Sequence, residues 1–311
     1  MIRTENLSKR FGNVEAVKSL NLEVAEGTAY GFIGPNGAGK STTMAILATL
    51  LAPSEGRAWI DGWDVTDHPD EVRRIIGYLP DFFGVYDRLT AEEYLAFFAA
   101  GYGIEPPRRG EVISRLLELV RLSDKRDAYV DHLSRGMKQR LGLARCLVHD
   151  PKLLILDEPA SGLDPRARIE FRSVLRELKS MGKTIFISSH ILPELADFCD
   201  AIGVMDRGRL VAAGNVQEIM DRYRGGRTVE IHLLEDADRA VKLLEKEEGI
   251  TSLRVEERKL TVGMEGDEHR QAEILSRLIA EGISVYRFEE VATDIEDVFL
   301  KIAGNGEEKG P

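Results

Sequence analysis

Sulfur and tryptophan are scarce in this sequence, whose 311 residues include two cysteines, Cys146 and Cys199, and two tryptophans. Two cysteines so far apart supply neither a disulfide framework nor a CxxC pair for zinc, and the count suits a reducing cytosol. Long apolar runs are missing too. The longest, such as 42–53, stop well short of the roughly 18 residues that a spanning helix needs. The amino terminus carries charge where a signal peptide requires an apolar core. Basic charge is in deficit: 42 Lys and Arg stand against 53 Asp and Glu, a net of −11. That balance repels a phosphate backbone and makes non-specific nucleic-acid binding a poor default. Taken alone, the chain reads as soluble.

What is present is apolar material, 43% of the residues, enough for a sizeable core and incompatible with wholesale disorder. At about 150 residues per domain the length predicts two domains. Residues 221–311 hold 22 acids and 14 bases, net −8, leaving a net of −3 for residues 1–220. The composition shifts at Arg224-Gly225-Gly226-Arg227, where paired glycines resist helix and strand alike. This places one domain at 1–224, a second at 227–304, and a polar tail at 305–311.

The first part alternates strands and helices. Thr28 to Gly34 is a short apolar run ending in glycine, with a helical stretch following to Leu51. Lys152 to Leu156, Lys183 to Ser189 and Ala201 to Met205 are further runs, of the continuous kind expected from strands buried on both faces. Helical periodicity spans Arg166 to Met181. The pattern predicts an α/β sheet with helices on its faces. One block breaks it: 90–149 is almost entirely helical, with Pro106-Pro107 separating two segments, and reads as a helical insert. Beyond Gly226 the predicted order is strand, helix, strand, strand, helix, strand. That β-α-β-β-α-β order predicts a small α+β ferredoxin-like domain, followed by a last helix from Ile295.

The sharpest local feature is Gly34-Pro35-Asn36-Gly37-Ala38-Gly39-Lys40-Ser41, a full G-x-x-x-x-G-K-[ST] match. Glycines leave backbone N–H groups free to wrap a β-phosphate, Lys40 supplies a cation for the β/γ-phosphates, and the Ser41 hydroxyl is a hard ligand for Mg²⁺. The helix that follows, through Thr42, turns its positive end to the anion. A mere glycine-rich turn would not need to sit between an apolar strand and a helix, as this one does. The second feature is Leu153-Leu154-Ile155-Leu156-Asp157-Glu158. A buried strand ending in two carboxylates has few structural excuses, because unpaired buried charge is expensive. Asp157 is expected to hold Mg²⁺ through water, and Glu158 to polarise the attacking water.

Between these lies Leu133-Ser134-Arg135-Gly136-Met137-Lys138-Gln139-Arg140, which resembles the LSGGQ signature of ABC ATPases. Ser161-Gly162-Leu163-Asp164 resembles the D-loop of the same family, and His190, after Ile187-Ser188-Ser189, resembles its switch histidine. The resemblance covers roughly residues 1–220 with the motifs in the family's order. It implies a P-loop NTPase fold of ABC type: a central, mostly parallel sheet with an antiparallel β subdomain and a helical insert. It also implies ATP and Mg²⁺ as ligands, and a head-to-tail homodimer. Each ATP would lie between one subunit's loop and the other's signature, with Ser134 and Gly136 presenting a helix N-terminus to the γ-phosphate. His190 would contact the γ-phosphate, Asp164 would couple the two sites, and Phe11 would stack on adenine.

The sequence departs from the family at Arg135 and Met137. It departs again in Ile76-Gly77-Tyr78-Leu79-Pro80-Asp81, where the family usually ends on glutamine. Asp81 can bind Mg²⁺ or accept a hydrogen bond but donates no amide N–H, so the resemblance implies retained hydrolysis with altered coupling or metal dependence. Only 94 positions separate Lys40 from Ser134, which leaves no room for the coiled coils of chromosome-acting members, and one ATPase unit differs from the two typical of ribosome-acting ones. Ala292-Thr293-Asp294-Ile295-Glu296-Asp297-Val298-Phe299-Leu300 resembles the ending of drug- and sodium-exporter ATPases of the daunorubicin-resistance type. Together these imply the ATP-hydrolysing subunit of an exporter at the cytoplasmic face of the membrane. It would work beneath a separate permease, with Tyr94 near the contact and no nucleic acid involved. The alternative is a soluble ABC ATPase acting on a protein or nucleic-acid assembly.

Overall fold

The computed structural model describes residues 1–82, 84, 88–191, 195, 198–216, 218–219, 227–234 and 237–291. Two compact units divide at Val216/Gln217, earlier in the chain than the Arg224–Arg227 stretch, of which residues 224–226 lie outside the described set.

The first unit is built on a six-stranded sheet of order β10-β9-β3-β8-β7-β6. Its strands are β3 (Ala29–Ile33), β6 (Ile76–Leu79), β7 (Leu153–Leu156), β8 (Thr184–Ser189), β9 (Ala201–Asp206) and β10 (Arg209–Asn215). All pairs are parallel except β9 with β10. Every residue of β3, β7 and β8 is buried, which is why these strands appear in the sequence as unbroken apolar runs. A second, antiparallel sheet of order β2-β1-β4-β5 contains β1 (Ile2–Phe11), β2 (Val14–Val24), β4 (Glu55–Ile60) and β5 (Trp63–Asp64). Its inward residues join Phe32, Ile155 and Phe186 of the central sheet in one core.

Helix α1 (Lys40–Leu47) follows β3 and is shorter than the periodicity predicts. Thr49 takes a left-handed φ of 62°, and the N–H groups of Leu50 and Leu51 turn back to the Ala45 carbonyl. Helix α2 (Pro69–Ile75) precedes β6. The insert contains α3 (Ala91–Gly101), α4 (Pro106–Leu119) and α5 (Arg135–Leu147). Thr90 and Glu93 form a reciprocal capping box that starts α3, and Pro106 opens α4 where its missing N–H costs nothing. Residues between α4 and α5 form two short 3₁₀ turns, where the sequence pattern predicts helix. Buried Arg140 ties the insert together, donating to the carbonyls of Val120 (3.0 Å) and Arg121 (3.1 Å). It also pairs with Glu170 at 3.2 Å on α6 (Pro165–Ser180).

The second unit runs β11 (Arg227–Leu233), α7 (Ala237–Leu244), β12 (Ile250–Glu256), β13 (Lys259–Met264), α8 (Glu268–Ala280) and β14 (Val285–Val291). Its sheet is antiparallel throughout, in the order β12-β13-β11-β14. This is the ferredoxin-like β-α-β-β-α-β arrangement. Val229, Ile231 and Leu233 alternate inward from β11 onto Ala240 and Leu244 of α7 and Ile274 and Leu278 of α8. Burying each of these large side chains is worth about 1.5–3 kcal/mol. The exporter-like ending at 292–300, the expected helix from Ile295 and the polar tail at 305–311 lie outside the described residues. Among the described residues no helix is long and apolar enough to cross a membrane.

Candidate functional site

Strand β8 lies between β3 and β7 in parallel register, Ile33 beside Ser189 and Leu156 beside Ile187. The carboxyl ends of the three strands therefore finish together, the edge at which parallel α/β sheets bind ligands. From β3 issues the loop 34–39, from β7 the pair Asp157 and Glu158, and from β8 His190. Neighbouring β6 delivers Asp81 to the same edge, since the Asp157 N–H donates to the Leu79 carbonyl at 2.8 Å. Together with Phe11 at the end of β1, these segments line a cleft of about 400 Å³ that takes in the glycine-rich loop, Asp81, Glu158 and His190.

Backbone packing explains why the loop needs its glycines. A Cβ on Gly34 would strike the Met205 carbonyl, and one on Gly39 would strike the Ala16 carbonyl. Gly39 also holds a φ of 103°, which L side chains avoid. Helix α1 begins immediately afterwards, with no acidic residue in its first turn, so its positive end faces the cleft uncompensated.

Lys40 is buried, with 5% of its surface exposed. Its ammonium donates to the Gly34 carbonyl at 2.6 Å and the Pro35 carbonyl at 3.2 Å. It also pairs with Glu158 Oε1 at 3.2 Å, while Glu158 Oε2 lies 2.6 Å from His190 Nδ1. The carboxylate of Glu158 thus bridges a lysine and a histidine that stand 150 residues apart in the chain. Its backbone takes φ 46°, a conformation costing on the order of 1–3 kcal/mol in a non-glycine residue. Such strain persists when its surroundings fix it. Here the Glu158 N–H is held by Ser188 Oγ at 2.9 Å, and that hydroxyl donates in turn to Asp157 Oδ1 at 2.7 Å.

Asp157 is 3% exposed. Burial raises its carboxyl above the ordinary aspartate range, against the lowering pull of hydrogen bonds from Ser188 and Ser41, and the charges of Glu158 and Asp81 raise it further. A buried carboxylate facing another carboxylate is costly unless a cation joins it. Ser41, Asp157 and Asp81 offer only hard oxygen donors, and that set fits Mg²⁺.

The structure brings Phe11, Asn36, Gly37, Ala38, Gly39, Lys40, Ser41, Thr42, Asp81, Glu158 and His190 to one cleft, and Asp157 beside Ser41. Phe11 is half exposed, with the Lys9 ammonium over its ring, 5.2 Å from the centre. Ser134, Gly136 and Asp164 do not line the cleft. Ser134 caps α5 through the Met137 N–H at 3.3 Å, and Asp164 caps α6 through the Ala167 N–H at 2.9 Å. Gly136 is buried, and a Cβ there would come 2.6 Å from that of Ala167, so this glycine is needed for helix packing within the chain. Ser188 escaped the sequence reading. Its signal was a hydroxyl inside an otherwise apolar buried run.

A glycine-rich loop, a carboxylate pair and a histidine at the carboxyl edge of one mixed sheet, with a helical insert, define a P-loop nucleoside triphosphatase. Residues 17–161 match the family described as ABC transporter, and residues 214–303 match the C-terminal domain described as ATP-binding protein DrrA1-3-like. The bacitracin transport ATP-binding protein BcrA of Bacillus licheniformis is 36% identical over 98% of either chain. The daunorubicin/doxorubicin resistance ATP-binding protein DrrA of Streptomyces peucetius is 35% identical over 98% of this chain and 92% of its own. Among solved structures, an ATP-binding subunit of an ABC transporter superposes with a TM-score of 0.65 at 31% identity, over 72% of this chain and 93% of the other. The ATP-binding cassette MJ0796, in a dimeric post-hydrolysis state bound to ADP and Pi, gives 0.62 at 25% identity, over 70% and 99%. This chain belongs to the ATP-binding proteins of ABC transporters, and it is an ATP hydrolase of the ABC type.

Proposed function

We propose that this chain is the ATP-hydrolysing subunit of an exporter, working as a head-to-tail homodimer on the cytoplasmic face of the membrane beneath a separate permease. The observation that carries the proposal is the Lys40–Glu158–His190 chain of contacts inside the glycine-lined cleft. In this reading ATP stacks its adenine on Phe11 and lays its phosphates along residues 36–42. The phosphates attract the Lys40 ammonium away from Glu158, which frees that carboxylate to accept a proton from the attacking water. His190 positions the γ-phosphate. Ser41 and Asp157, with Asp81 beside them, hold Mg²⁺, which neutralises charge on the phosphates when bound.

Ser134 and Gly136 close the site from the second subunit, and Asp164 joins the two sites. ATP between the subunits then holds the dimer together, and hydrolysis releases it. Full-length likeness to BcrA and DrrA, both named for antibiotic transport or resistance, supports export. The net charge of −11 supports a partner other than nucleic acid. Tyr94, fully buried in α3, would support the permease-facing surface from beneath.

Affinity isolation of the tagged full-length chain from mild-detergent extracts of its native cells tests this. A multi-span membrane protein is the expected companion. Recovery with ribosomes or nucleoprotein, and without any multi-span protein, would instead support a soluble ATPase.

A further inference from the structure

Arg135 stands where the family signature has glycine, and conventional accounts of a surface arginine do not fit it. It occupies the first turn of α5, which contains no acidic residue. A cation there opposes the helix dipole, an effect of about 0.3–1 kcal/mol. Among the described residues it makes no ion pair and no hydrogen bond. Its guanidinium instead lies against Gly162: the carbon and both terminal nitrogens are 2.5–2.8 Å from the point where a Cβ would stand. A Cβ at residue 162 would push the guanidinium off this seat, and Gly162 holds a left-handed φ of 65°.

The seat belongs to a short, well-held segment. The Ser161 N–H donates to the Glu158 carbonyl at 3.0 Å and the Leu163 N–H to the Ala160 carbonyl at 3.3 Å. Arg168 Nη2 donates to the Leu163 carbonyl at 3.3 Å. Next to it Gly136 packs on Ala167, whose N–H is the one that Asp164 caps. The amino ends of α5 and α6 are thereby fastened at two points, one by Arg135 on Gly162 and one by Gly136 on Ala167. Four residues before Gly162 is Glu158.

We propose that Arg135 is a positioning residue, clamping the segment 158–164 to the signature so that a phosphate met by Ser134 is felt at Glu158. The coupling, though not the clamp, rests on the head-to-tail reading above. In that dimer Ser134 touches the ATP held by the partner, whereas Glu158 serves the ATP of its own chain. A rigid link between them makes each site respond to occupancy of the other, which is positive cooperativity.

Two measurements on the full-length chain test it, each on Arg135→Ala and Arg135→Lys. Lysine keeps the charge but loses the flat head that fits the glycine. Millisecond amide exchange without nucleotide reads the clamp. Exchange across 159–164 should rise about threefold or more in both variants, with the α5 interior unchanged, as expected for opening of a local unit. Unchanged exchange overturns the clamp. Turnover against ATP concentration reads the coupling: the parent's Hill coefficient should exceed one and fall towards one in both variants, with nucleotide affinity of the isolated subunit unaltered. A Hill coefficient that stays at the parent's value overturns the coupling. A parent that never dimerises with ATP overturns the head-to-tail reading and the coupling with it, and exchange still decides the clamp.

Discussion

Replacing Glu158 with glutamine stops ATP turnover, by roughly 10²–10⁴-fold as for loss of a general base, while ATP continues to bind. The two side chains have nearly the same shape, so the left-handed turn at Glu158 and its N–H bond to Ser188 survive. What is lost is proton acceptance and the ion pair with Lys40. Without that pair the Lys40 ammonium has one competitor fewer for the phosphates, and affinity holds or improves. In the proposed dimer, ATP that binds but does not react would keep the two subunits together. Sedimentation of Glu158→Gln with Mg·ATP should show a dimer, and with ADP a monomer. Undiminished turnover in the variant would remove Glu158 from the reaction.

Lys40→Ala has the opposite signature, with binding itself failing. The ammonium is buried and makes three contacts, to Gly34, Pro35 and Glu158. In the proposed complex it faces the β- and γ-phosphates. Truncating one partner of a buried charge pair costs about 2–5 kcal/mol, so ATP affinity should weaken by roughly 30-fold or more. Loss of the lysine also leaves the Oε1 side of Glu158, at 12% side-chain exposure, without its cation, with His190 on Oε2 as the remaining contact. The empty variant should therefore melt below the parent even where no nucleotide is involved. Titration with a fluorescent ATP analogue and a thermal melt separate the two effects. Parent-like affinity would contradict the assigned role of Lys40.

Physical chemistry decides which features could be read from sequence. Strands β3, β7 and β8 are buried on both faces and advertise themselves as apolar runs, and the loop 34–41 has no other good use. The ferredoxin-like order was legible because β11, with Val229, Ile231 and Leu233 inward, keeps a clean period of two. The antiparallel sheet was known only through the family resemblance. Register shifts between Thr4 and Leu7, and again before Lys9 and Arg10, break the alternation of β1 against β2. Strand β6 is four residues long, too short for its period to speak. The site residues were legible where a motif names a chemistry. Ser188 and the seat of Arg135 were not, since each acquires its meaning from a residue about 30 positions away.

In the proposed head-to-tail dimer each ATP site is shared by two copies of the chain. The most direct test of that sharing mixes two variants, Lys40→Ala and Ser134→Arg, each also carrying Glu158→Gln. Alone, the first lacks a working phosphate loop and the second a working signature, so neither should form an ATP-held dimer. Mixed, one site combines both defects and the other is intact. A dimer should therefore appear on mixing and carry one ATP per pair of chains. No dimer on mixing, or one ATP bound per Ser134→Arg chain as tightly alone as mixed, would place the whole site within a single chain and contradict the shared site.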